Sequence, residues 1–205
     1  MSTSTHPIHH KNYEENIDGR LERSKRSHQL ICEAMLSLIQ DGILIPTAQQ
    51  VADRAQVGIR TVFRRFKDME SLFETIHSRE VWKHRRYFLD FDKNLNLDKR
   101  ISLLTRMHAT IYQDMNSMIK ATKAMMWRYK ILEKNYQQSQ ADLRKHLQHY
   151  LPELLELDEE TQQFIELIFS FESWERLREL QGLSKKRAIE VINSQVKKSF
   201  CLKSI

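Results

Sequence analysis

Apolar side chains recur every three to four positions along most of this chain, the period of helices that each bury one face. Between Ser24 and Gln40 the stripe is Leu30, Ile31, Ala34, Met35 and Leu38, which predicts an amphipathic helix closed at Asp41-Gly42, with Gly42 in the left-handed cap position. After Pro46, Thr47 suits the N-cap of a second helix, Ala48 to Ala55, whose inward positions are Val51, Ala52 and Ala55. Gln56 to Gly58 reads as a tight turn. A third helix then runs from Ile59 to about Phe66, with Val62 and Phe66 on its inner side. Asp68 caps a fourth, carrying Leu72, Phe73 and Ile76 and continuing through Trp82 toward Phe88.

The same period continues to the end of the chain. Asp98 opens a helix through Ile101, Leu104, Met107, His108 and Ile111; Ser117 to about Tyr136 and Gln137 to Leu151 predict two more, stopped by Pro152. Thr161 to Gln181 carries Phe164, Leu167, Ile168, Phe171, Trp174 and Leu177 on one stripe, broadened by Ile165 and Phe169. Gly182 ends that helix, and Ser184 caps a last one bearing Ala188, Ile189, Ile192, Val196 and Phe200. Met1 to about Gly19 lacks periodicity and reads as a mobile tail, in which His6, His9 and His10 offer weak metal binding at most. The expected fold class is all-α: an N-terminal three-helix domain followed by a second helical domain.

Composition supports this pattern. Four Gly and three Pro in 205 residues are too few for the turns of a sandwich, propeller or barrel. Cys32 and Cys201 lie far apart and form no metal or redox spacing, so a reduced, cytoplasmic protein is expected. The apolar runs are far shorter than the roughly 20 residues of a membrane span, and the N-terminus lacks the apolar segment of a signal peptide. The net charge of +6 is uneven: from Arg20 to Lys67 nine Lys/Arg stand against four acids, and the remaining 24 basic and 23 acidic residues nearly cancel. Concentrated Lys/Arg is what neutralising phosphate needs.

Two short helices joined by a three-residue turn, with Ala52 where their axes cross and Val51, Ala55, Val57 and Val62 as a small core, form a helix-turn-helix. Its second helix fits a major groove about 12 Å wide, N-terminal half toward the base edges. The stretch Thr47 to Leu72, T-A-Q-Q-V-A-D-R-A-Q-V-G-I-R-T-V-F-R-R-F-K-D-M-E-S-L, resembles the TetR family of bacterial transcriptional regulators, whose pattern is roughly T-x-x-x-I-A-x-x-A-G-V-S-x-x-T-L-Y-x-H-F-x-x-K-E-x-L. With the first helix the likeness covers about 45 residues; the remainder agrees only in length and helical character.

The resemblance implies a double-stranded DNA operator as partner. Thr47 takes a phosphate by hydroxyl or N–H, with Gln49 and Gln50 near the groove edge. Arg60 stands at a base-facing position from which a guanidinium can take guanine O6 and N7. Thr61 reaches a phosphate or a thymine methyl, Arg64 a base or phosphate, and Lys67 clamps a phosphate. Arg65 replaces the usual His and adds charge toward the backbone. Phe63 replaces Tyr, keeping the ring without its hydroxyl, Gly58 replaces a Ser cap, and Met69 replaces a Lys. Gln56 stands where the turn Gly belongs, at a cost of about 1 kcal/mol if its backbone is left-handed.

By the same resemblance the chain is read as 1–20 tail, 21–68 DNA-binding domain, a connecting helix over 68–91, and 69–205 effector-binding and dimerisation domain. One helix-turn-helix reads a half-site, so a homodimer on a palindrome is expected. The last two helices are the candidate interface through Phe164, Ile168, Phe171, Trp174, Ile189, Ile192 and Val196, with core packing the competing role. The methionines and aromatics of the middle segment, Met107, Tyr112, Met125, Met126 and Trp127, suit an adaptable apolar ligand pocket, with His108, Arg128 and His146 as polar anchors.

An enzyme is not expected, because no nucleophile elbow, phosphate loop or metalloprotease motif is present, and no cofactor or metal is called for. His146 and His149 share a helix face but lack two further ligands. The leading expectation is a repressor released by a small apolar or amphipathic ligand. The alternative is the same fold acting as an activator, a nucleoid-associated factor or a protein partner without an inducer.

Overall fold

The computed structural model describes the backbone of residues 11–84 and 94–201, and the side chains of 21–83 and 94–201. His6, His9 and His10 of the expected tail, and the fourth helix's extension toward Phe88, lie outside the described residues. The described chain is all helical, without strands. Its packing divides it into two compact units, Met1–Ser78 and Arg79–Ile205.

In the first unit α1 (Lys11–Gln40) packs against α2 (Ala48–Arg54) and α3 (Ile59–Arg65), and α4 (Met69–His84) follows. Helix α1 begins at Lys11, thirteen residues before the Ser24 start that apolar spacing predicts, so residues 11–20 of the expected tail belong to the helix. Its packing face is Ile31, Cys32, Ala34, Met35, Leu38 and Ile39, all buried, whereas Leu30 is exposed. The helix ends in a Schellman motif: Ile43 N–H donates to Leu38 O (3.0 Å) and Gly42 N–H to Ile39 O (3.1 Å), with Gly42 at φ 91°. Val51, Ala52, Ala55, Val62, Phe66, Leu72, Phe73 and Ile76 are buried with them.

In the second unit α5 (Leu97–Asp114) packs on α10 (Lys185–Cys201), and α6 (Asn116–Met125), α7 (Lys130–Tyr150), α8 (Glu159–Ile168) and α9 (Phe171–Glu175) surround them. Two predicted helices are cut differently from expectation. The break expected near Gln137 lies at Met126–Tyr129, where the N–H groups of Arg128 and Tyr129 both close on Met125 O (3.0 and 3.1 Å), and α7 runs through Gln137 unbroken. The single helix expected over Thr161–Gln181 divides at Phe169-Ser170. There Ser170 turns extended and its Oγ accepts from Ser173 N–H (3.2 Å), capping α9, after which Arg176–Leu180 forms a π-helical turn.

Candidate nucleic-acid interface

The α2–α3 corner is built by local chemistry. Thr47 caps α2 reciprocally: its Oγ1 accepts from Gln50 N–H (3.2 Å), and Gln50 Oε1 accepts from Thr47 N–H (2.8 Å). A phosphate approaching Thr47 therefore competes with Gln50. The turn is a second Schellman motif, with Val57 N–H on Ala52 O (3.0 Å) and Gln56 N–H on Asp53 O (3.2 Å). Gln56 accordingly sits at φ 54°, the left-handed conformation that a glycine would adopt without strain. Gly58 caps α3 from extended backbone, with no side-chain bond.

Helix α3 buries Val62 and turns Arg60, Phe63 and Arg64 outward; Phe63 keeps 49% of its surface exposed, and Ile59 at the first turn is also exposed. Thr61 is half-buried beside them. Gln49 and Gln50 lie exposed on α2, although Gln49 Nε2 donates to Asp53 Oδ1 (2.7 Å). Lys67 is exposed just past α3, before Asp68, whose carboxyl caps α4 by accepting from Ser71 N–H (2.8 Å) and is held below its usual range chiefly by that bond.

Two basic residues are turned to structural work. Arg54 Nη1 bridges to Ser37 Oγ (2.5 Å) and Asp41 Oδ2 (2.8 Å) on the side of α1. Arg65, expected to reach DNA, is half-buried and donates from Nη1 to Ser24 Oγ of α1 (2.6 Å), while its buried Nε has no hydrogen-bond partner. Spacing missed Ser24 because its partner lies 41 residues away. Arg60, Arg64 and Lys67 thus carry outward positive charge of the helix-turn-helix, and the first turns of α2 and α3 hold no acid.

No protein-family model and no curated protein sequence matches the chain. Solved structures do. A transcriptional regulator from Rhodococcus sp. Rha1 matches with a TM-score of 0.63 at 11% identity, over 85% of this chain and 94% of that one. A candidate fatty acid metabolism regulator of Clostridium perfringens matches at 0.58 and 15% identity, over 83% and 97%. The chain shares their fold. At such identities the likeness is one of architecture, and function has to be argued from the site.

The second unit redistributes the residues read as pocket and interface. Phe171, Trp174, Ile192 and Val196 are buried in its own core, and Ile168 and Ile189 pack against that core. Phe164 stays 43% exposed and, with Leu167 at 57%, leaves an apolar strip on α8. Phe164 also lines an open groove of about 570 Å³ shared with Thr161, Gln195 and Ser199. Of the pocket candidates, Met125 is buried, Met107 and Met126 are half-buried, and Trp127 is 80% exposed on the α6–α7 turn, so Trp127 lines no interior pocket in this conformation. Arg128 is exposed beside it, its guanidinium over the Tyr129 ring.

Tyr112 donates to Phe169 O (2.6 Å) and packs edge-on to His108 and Phe171. His108 is buried among Tyr112, His146 and Phe169, and its Nε2 has no hydrogen-bond partner. Burial, then the charge of neighbouring His146, pushes His108 down to about 3; burial, then His149, pushes His146 down to about 4. Both rings are neutral near pH 7. Among the described residues no group of three or more His, Cys, Asp or Glu is placed to hold a metal, and no helix is long and apolar enough to cross a membrane.

Proposed function

We propose that this chain is a TetR-like transcriptional regulator, cytoplasmic and without a cofactor, that binds a palindromic operator as a homodimer. The observation that carries the reading is the outward strip Arg60, Phe63 and Arg64 on a helix held by a buried Val62, within a fold shared with transcriptional regulators. Arg60, in the N-terminal half of α3, reads a guanine; Arg64 and Lys67 take phosphates; Thr47, Gln49, Gln50 and Thr61 border the groove.

The dimer forms through the exposed strip of α8, Phe164 and Leu167, beside the groove toward α10. The regulator is a repressor, released by a small amphipathic ligand that enters the second unit beside Met107 and Tyr112. A buried imidazole nitrogen without a partner, His108 Nε2, supports a ligand that brings one hydrogen-bonding group among apolar ones. Release requires that the ligand favour a conformation with lower DNA affinity.

The test is selection of bound duplexes from a random library. The wild type enriches a two-fold symmetric motif, and Arg60→Ala loses discrimination at one position per half-site by roughly tenfold. Lys67→Ala keeps the motif and makes the salt dependence of binding shallower by about one unit per protomer. A motif-free wild-type pool overturns the reading.

A further inference from the structure

At about 100° per residue, positions four apart stand nearly in line along a helix. Helix α3 therefore carries three lengthwise rows: Ile59 with Phe63, Arg60 with Arg64, and Thr61 with Arg65. Val62 is buried, Thr61 and Arg65 are half-buried, and the other two rows are exposed. By the same rotation the arginine row lies opposite Val62, and the Ile59–Phe63 row runs along the edge between them. Ile59 keeps 38% of its surface exposed and Phe63 49%, although Val51, Ala52, Val62 and Phe66 of the same unit are buried. The base and phosphate roles of Arg60, Arg64 and Lys67 leave this apolar row unused.

The neighbours of the row narrow what it can cover. Arg60 and Arg64 stand beside it and α3 itself holds no acid, which suits a polyanion and disfavours an apolar protein surface laid over two exposed guanidinium groups. In the major groove the base edges offer hydrogen-bond donors and acceptors and one apolar feature, the C5-methyl group of thymine. An isoleucine and a phenylalanine pressed on the polar edges would displace water without replacing its hydrogen bonds, which costs free energy. Against a methyl group, both partners bury apolar area.

We propose that Ile59 and Phe63 form a specificity-determining apolar ridge that reads a thymine through its C5-methyl group, beside the guanine taken by Arg60. The proposal rests on the DNA-binding reading of α3 and adds to it a base that the arginines do not specify. Consecutive Cα atoms stand about 3.8 Å apart and consecutive base pairs about 3.4 Å, so Ile59 and Arg60 address the same or adjacent steps of the duplex. Phe63, one turn further along the row, widens the apolar contact. Thr61 lies half-buried on the other edge of the helix and is not part of the ridge.

The full-length wild type is titrated onto duplexes bearing its selected motif, in which each thymine is replaced in turn, in both half-sites, by deoxyuridine. The replacement removes one methyl group and leaves the pairing and the protein untouched. At one thymine per half-site, within about two base pairs of the Arg60 guanine, affinity falls about fourfold for each methyl removed. Ile59→Ala/Phe63→Ala binds the thymine and uridine duplexes equally and keeps its guanine preference, whereas Ile59→Val retains the distinction. Equal wild-type affinity for every uridine duplex, a motif without thymine near that guanine, or a distinction that persists in the double variant overturns the ridge. Guanine discrimination that still depends on Arg60 then leaves the α3 reading standing. A wild type that selects no motif overturns both.

Discussion

Arg65 at the end of α3 and Ser24 on α1 are joined by a 2.6 Å hydrogen bond, and this pair sets the last turn of α3 against the rest of its unit. A hydrogen bond to a charged group contributes about 1.5 kcal/mol or more, and Arg65 Nε already lacks a partner. Ser24→Ala should lower stability by about that amount in urea unfolding. DNA affinity should fall with it while base preference is unchanged, because the defect is in where α3 sits and not in which atoms it offers.

Gln56 occupies the left-handed turn position at φ 54°. Gln56→Gly relieves a conformational cost of about 1 to 2 kcal/mol, offset in part by the larger entropy of glycine in the unfolded chain. A net gain of about 1 kcal/mol in urea unfolding is expected from these two opposing effects. A decrease would mean that the Gln56 side chain supplies a compensating interaction.

His108 and His146 pack against one another and against Tyr112, Tyr150 and Phe169, with His149 as the further titratable ring at Tyr150. Their folded pKa values, about 3 and about 4, lie below the ordinary 6.5, so the unfolded chain binds more protons. Stability is complete above about pH 6.5 and falls as the pH drops toward 4 and 3. Carboxylates such as Glu153, held low mainly by its hydrogen bond from Arg100, lose their contribution only below about 4.5. Melting temperatures between pH 6.5 and 5 should therefore report the histidines. His108→Met/His146→Gln should flatten that interval, with the remaining slope left to His77, which burial also pushes down.

Phe164 and Leu167 are the exposed apolar residues of α8, whereas Phe171, Trp174, Ile192 and Val196 are buried within the protomer. Phe164→Glu/Leu167→Glu should sediment as a monomer at micromolar concentration with an unchanged helical circular dichroism spectrum. The same charge placed at Val196 should unfold the second unit. Dimers persisting in the α8 variant would move the interface elsewhere.

What could be read along the chain was what neighbouring residues decide among themselves. Thr47 caps α2 locally, and Gly42 and Gln56 close α1 and α2 in left-handed turns. The buried Val51, Ala52 and Val62 follow from local period, so α2, its turn and the outward face of α3 were legible without any distant partner. The contact of Arg65 with Ser24 was not legible, because its partner lies 41 residues away. The early start of α1 was hidden for the opposite reason: Lys11 to Gly19 carries few large apolar groups, and a helix without an apolar period leaves no signal in spacing.

The second unit shows the same division more sharply. Its helical content is periodic and was plain, yet the cut at Phe169-Ser170 depends on Ser170 capping α9, a role a serine inside an apolar stripe does not advertise. Whether an apolar residue joins the core, a pocket or a partner has no local signature. Trp127 and Trp174 are chemically identical, and one is 80% exposed while the other is 4% exposed, because three-dimensional packing, not the side chain's own preference, assigns the space.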